Sequence, residues 1–233
     1  MFRPAVPKEP GCRVAPNRQA GGLTHQHRDA PSRLFPRNFS EIGKGPALGI
    51  GMKHAVFFER DGVLNHCERR GGRQISPVRF EQFTINPDAR PLLQALKSAG
   101  FVVIVATNQP GIARGEIHRS ELDLMHRALL QKLPIDDILV CPYDDPSHPC
   151  CKPQPGLLIE AAFKWSLDLD HSFVVSNHWE DAKAAQVAGC TSVMIDSPWV
   201  GNDHHDFIVP DLATAVRKIR QLHTMNSVAT AAA

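Results

Sequence analysis

Nowhere does the 233-residue chain approach the ~20 consecutive apolar residues that a membrane helix needs. The N-terminus lacks the apolar core of a secretory signal, and no internal repeat is present. These absences argue against a membrane partner and point to a cytoplasmic protein. A basic groove is missing too. Residues 1–52 hold eight Lys/Arg against three Asp/Glu, whereas residues 53–233 hold 18 against 21. The body is mildly acidic, which argues against a nucleic-acid partner. Six cysteines are present, at 12, 67, 141, 150, 151 and 190. Three of them fall within eleven residues, which reads better as a metal or redox cluster than as a disulfide framework in a chain of this size.

Residues 1–51 are rich in Pro, Gly and Arg with little periodicity, the composition of a disordered leader or of a start assigned too far upstream. Met52 stands directly before the first apolar run. From there strand and helix patterns alternate. Strand-like runs are expected at 54–59, 101–106, 137–140, 172–175, 191–195 and 207–209. Helical patterns are expected at 88–99, 120–133, 156–167, 180–188 and 211–222, with Asp88 and Ser120 as N-caps and Gly100 closing the first helix. The strands are continuously apolar, as in a parallel sheet covered on both faces. This predicts an α/β, three-layer Rossmann-like domain over 52–222 with a frayed tail at 223–233. In such folds ligands sit at the carboxyl ends of the strands.

Four polar clusters fall at those ends. They are Glu59-Arg60-Asp61-Gly62, Thr107-Asn108-Gln109, Lys152 within "CCKPQPG", and the run from Ser176 to Asp181. Paired carboxylates one residue apart at a strand end suggest metal-assisted phosphoryl chemistry.

The strings "RDGVLN", "TNQPGIARG", "KPQPG" and "DAKAAQVAG" resemble the haloacid dehalogenase superfamily, in its capless subfamily IIIA branch of histidinol-phosphate and heptose-bisphosphate phosphatases. The resemblance covers essentially all of 53–220. It implies a hydrolase in which one carboxylate attacks phosphorus and a second protonates the leaving oxygen and then activates water. It places Glu59 at the nucleophile position and Asp61 at the acid/base position. Thr107 and Lys152 would hold the phosphoryl group. Asn108, Gln109 and His178 would border the substrate. Mg2+ would be held by Glu59, Asp61 and Asn177, with Asp181 as a further ligand, directly or through water.

Three positions depart from the family pattern. Glu59 stands where the family has Asp, and the extra methylene moves the attacking oxygen by about 1.5 Å. Ser176-Asn177 replaces Gly-Asp, so a charged metal ligand is lost. In the loop 141–152 many members bind structural Zn2+ through Cys-x-His and Cys-x-Cys. Here Cys141, His148 and Cys150 are the corresponding candidates, with Cys151 or Asp145 as a fourth. The alternative is a shortened loop that has lost its metal. Cys151 also occupies the position of a phosphate-binding arginine.

The expected activity is hydrolysis of a small phosphorylated sugar, heptose 1,7-bisphosphate foremost, by a monomer. Impairment is expected at residues 59 and 177. Histidinol phosphate is an alternative substrate, and a catalytically silent binder is an alternative role. A polynucleotide 3′-phosphatase is disfavoured by the acidic body.

Overall fold

The computed structural model describes residues 52–231, with side chains described through Met225. Thirteen named elements follow in chain order. β1 spans Ala55–Phe58, and a hairpin of β2 (Glu68–Arg70) and β3 (Arg73–Ile75) comes next. Then come α1 (Ala89–Ser98), β4 (Val102–Asn108), α2 (Arg119–Lys132), β5 (Asp137–Cys141), α3 (Gly156–Trp165), β6 (Phe173–Ser176), α4 (Trp179–Ala188), β7 (Thr191–Ile195), β8 (Phe207–Val209) and α5 (Leu212–Ala231).

Six strands form one parallel sheet in the order β5-β4-β1-β6-β7-β8. β1 lies between β4 and β6, with Phe57 opposite Ile104 on one side and Val174 on the other. All four β1 side chains are fully buried. Their alternation sends Val56 and Phe58 to a core under α1 and α5, and Ala55 and Phe57 to a core under α3 and α4. This double coverage is why the strand sequences run apolar without alternation. The chain leaves β1 toward β4 and β5, then returns to β6 and moves the other way. The carboxyl ends of β1, β4 and β6 therefore frame a topological switch point.

The expected strands and helices are all found, with four corrections. Asp88 makes no side-chain cap, and its backbone N–H instead bonds Asn86 Oδ1 at 3.0 Å. Ser120 lies inside α2, whose N-cap position is His118. The closing helix continues to Ala231, past the boundary expected at 222. The hairpin at 68–75 was not expected. Its turn residues, Gly71 and Gly72, have φ of 56° and 74°, which a two-residue turn of this hand requires. Gly100 does close α1 as expected, with φ 89° and its N–H on Lys97 O. The expected leader 1–51 lies outside the described residues. Among those described, no helix is long and apolar enough to cross a membrane.

Candidate active site

β1 delivers the first carboxylate. Beyond Phe58 the chain keeps its sheet bond through Glu59 N–H to Val175 O (3.0 Å), then turns sharply, with Gly62 at φ 77°. Glu59 is buried and every part of its carboxylate is engaged. Oε1 accepts from Thr107 Oγ1 (2.5 Å), Arg60 N (3.0 Å) and Asp61 N (3.4 Å). Oε2 accepts from Lys152 Nζ. Thr107 comes from the end of β4. Lys152 arrives on the loop before α3, and its ammonium also reaches Ala106 O (3.0 Å) and Asp181 Oδ1 (2.6 Å). Asp181, in the first turn of α4, takes Ser176 Oγ on its other oxygen at 2.9 Å. Burial pushes Glu59 and Asp181 upward, and the ammonium of Lys152 opposes both shifts. Burial works against that ammonium, yet Asp181 and Glu59 outweigh it and hold the Lys152 pKa above its usual range.

Asp61 points the other way. Both its oxygens are gripped by the fully buried Arg60, at 3.0 and 2.9 Å, and Oδ2 also accepts from Gln109 Nε2 at 3.0 Å. Burial favours the neutral acid, but the guanidinium wins, and the Asp61 carboxyl lies below the usual range. Arg60 is the site residue that sequence reasoning left without a role. Its position between two carboxylates was the available signal.

Thr107 and Lys152 both meet the Glu59 carboxylate, Asp61 lies beside them with its carboxylate turned to Arg60 and Gln109, and the expected substrate-bordering residues divide. Gln109 is buried and spends its amide on Arg60, Asp61 and Thr107, which makes it a brace within the site. Asn108 clamps the following loop, accepting from Lys152 N and donating to Lys152 O, both at 3.2 Å. His178 stands at the start of α4 and stacks on Trp199, with ring centroids 5.4 Å apart. Burial lowers its pKa.

The oxygens assigned to a magnesium ion by resemblance fit such an ion in kind. They are the Glu59 carboxylate, the Asp61 carbonyl and the Asn177 amide oxygen, all hard donors. Asn177 Oδ1 is buried without a hydrogen-bond partner, the condition a cation would relieve. Asp181, expected near the ion, is instead committed to Lys152 and Ser176.

The expected zinc ligands are only partly assembled. The ligand atoms of Cys141, His148 and Cys150 lie within 4.8 Å of one another. Cys141, at the end of β5, is joined to Cys150 in a disulfide, with Cα atoms 5.5 Å apart. A cysteine ligates zinc as the thiolate, so the same three residues would serve a zinc ion only with both cysteines reduced. Cys151 does not join the group. Its sulfur faces Asn108 Nδ2 at 3.7 Å. Asp145 Oδ1 accepts from Ser147 and is likewise outside it.

No family model matches the chain. A D-glycero-β-D-manno-heptose-1,7-bisphosphate 7-phosphatase of Rhodopseudomonas palustris is 32% identical over 148 residues, covering 58% of this chain and 79% of that one. The chain belongs to the heptose-1,7-bisphosphate 7-phosphatase family of the haloacid dehalogenase superfamily. A second member of that phosphatase family, from Pasteurella multocida, is 28% identical over 188 residues, 73% of this chain and 99% of its own. The crystal structure of the D,D-heptose 1,7-bisphosphate phosphatase of B. bronchiseptica, complexed with magnesium and phosphate, superposes with a TM-score of 0.61 at 28% identity. It covers 73% of this chain and 99% of that chain. The family fold accounts for the central parallel sheet with its flanking helices.

Proposed function

We propose that this chain hydrolyses a phosphate monoester of a small phosphorylated sugar, with heptose 1,7-bisphosphate as the first substrate to test. The observation that carries the reading is the convergence of Glu59, Asp61, Thr107 and Lys152 at the switch point of a chain in this family. Glu59 attacks phosphorus, the bond to the sugar oxygen breaks, and an acyl phosphate forms on the carboxylate. Thr107 and Lys152 hold the phosphoryl oxygens. The leaving oxygen takes its proton from Asp61 in its protonated form, and water then cleaves the acyl phosphate, returning a proton to Asp61 and regenerating Glu59. Asp61, held ionised by Arg60, suits the second half-reaction, as the base that activates water. A magnesium ion, when bound by Glu59, the Asp61 carbonyl and Asn177, neutralises phosphoryl charge. The chain is taken as a cytoplasmic monomer whose ligand is a small phosphate ester, with a phosphatase domain that starts at residue 52 and includes the whole closing helix.

One observation favours a second reading, a silent member that binds phosphate without turnover. Glu59 is tied down on both oxygens and Asp61 on both of its own. Phosphate release from heptose 1,7-bisphosphate, with magnesium and with chelator, separates the two. Magnesium-dependent release above a buffer control supports the phosphatase. Binding of inorganic phosphate without release supports the silent member.

A further inference from the structure

The hairpin β2–β3 places a side chain where the family's cation would be held. Gln74 Nε2 donates to the Asp61 carbonyl at 3.1 Å, and Gln74 Oε1 accepts from Asn177 Nδ2 at 2.9 Å. The single amide bridges two of the three residues that magnesium would use, occupying the Asp61 carbonyl and holding the amide nitrogen, not the oxygen, of Asn177. The space is filled tightly. A Cβ on Gly62 would collide with Gln74 Oε1 and would lie 2.7 Å from Asn177 Nδ2. Gln74 is held there from outside the site. Trp199 Nε1 donates to Gly72 O at the hairpin turn (3.3 Å), and Arg69 lies 5.2 Å over the Trp199 ring. Trp199 is itself stacked on His178, next to Asn177.

The charges agree with this arrangement. Glu59, Asp61 and Asp181 are faced by Arg60 and Lys152, an imbalance of one negative charge. An Asp at 177 would add another and call for a divalent ion. Asn177 adds none, and its Nδ2 suits an amide partner that a carboxylate could not serve in the same way.

We propose that Gln74 is an internal substitute for the divalent cation. It closes the metal position in the resting protein, so that a cation binds only when the hairpin withdraws it. This rests on the family reading of which groups would hold magnesium, but not on turnover. Removing Gln74 frees the Asp61 carbonyl, a hydrogen bond that a cation must otherwise break, and opens the space beside the unpartnered Asn177 Oδ1.

The test is Mn2+ binding to the full chain, read by electron paramagnetic resonance, with Mg2+ as competitor. Gln74→Ala is expected to tighten Mg2+-displaceable Mn2+ binding at least ~10-fold over the parent. Gln74→Glu keeps the side-chain size, adds a ligand oxygen and should tighten it further. Trp199→Leu, which touches none of the three donor groups, should give a smaller gain by loosening the hairpin. Adding Asn177→Ala to Gln74→Ala should remove the gain. Affinities within twofold of the parent for both Gln74 variants overturn the proposal, as does a gain that survives Asn177→Ala. No substrate enters the measurement. A chain that releases no phosphate in the assay above therefore leaves this test intact.

Discussion

Lengthening one side chain by a methylene changes what a strand-end carboxylate can reach. Glu59 extends far enough to meet both Thr107 and Lys152, and it uses both oxygens doing so. An Asp there would withdraw the carboxylate by about 1.5 Å. Placement errors of ~1 Å can cost on the order of a hundredfold in rate. Asn177 compounds the problem, because an amide oxygen holds a divalent ion less strongly than a carboxylate does. Glu59→Asp combined with Asn177→Asp is therefore expected to raise magnesium-dependent phosphate release at least ~100-fold. The two residues would share one ion, so the double change should exceed the combined single effects. A parent that is already fast and is slowed by Glu59→Asp would show instead that Glu59 is an adapted nucleophile. The motif "FFERDGVLN" made both carboxylates legible. It did not reveal that Arg60 would turn inward and clamp Asp61. That depends on the pocket supplied by Gln109, Met125 and Phe83, from three distant parts of the chain.

At the level of elements, one carboxylate links a strand to the helix that follows it. Asp137, at the start of β5, ties that strand to α3. Its Oδ2 accepts from Trp165 Nε1 (2.9 Å) and Lys164 Nζ (2.7 Å). Burial pushes its pKa up, but Lys164 and Trp165 outweigh burial and leave it lowered. A lowered folded-state pKa means stability that is present above the ordinary value near 3.8 and is lost as pH falls through the folded value. Lys164 is 57% exposed, so the ion pair is screened and the total is about 1 kcal/mol. Asp137→Asn should lower the melting temperature at pH 7, and the gap to the parent should narrow at pH 3. A constant gap would show that the charge contributes nothing. The 141–150 loop is expected to bind at most one Zn2+. Elemental analysis of protein purified without chelator should show near one zinc or none, and Cys150→Ser should abolish any that is bound, because a thiolate ligand is lost. Zinc retained in full in that variant would remove this ligand set.

Across the described residues, stability depends mainly on the two large cores that cover the two faces of the six-stranded sheet. Ile219 of α5 is fully buried in the core that joins α1, α5 and the sheet. Ile219→Ala should cost ~2–5 kcal/mol, seen as a lower urea midpoint with an unchanged slope. A loss below ~1 kcal/mol would mean that α5 is peripheral. Continuous apolar runs, helix periodicity and glycine stops were enough to read six strands and five helices, because these signals are local and each repeats over several residues. The strand-end carboxylates and Thr107 were legible for the same reason, since a polar residue directly after an apolar run is already placed at the sheet's rim, whereas Lys152, on the loop beyond β5, was legible through the resemblance of "KPQPG". The partners of those residues were not legible. Gln74 meets Asn177 across 103 positions, and Lys152 meets Glu59 across 93. The hairpin turn could be suspected from Gly71-Gly72, but its landing place on Trp199 could not. Which polar groups satisfy one another inside a buried site is settled by long-range packing. The low-dielectric interior penalises any group left unpaired, and only the closed chain determines which partners are within reach.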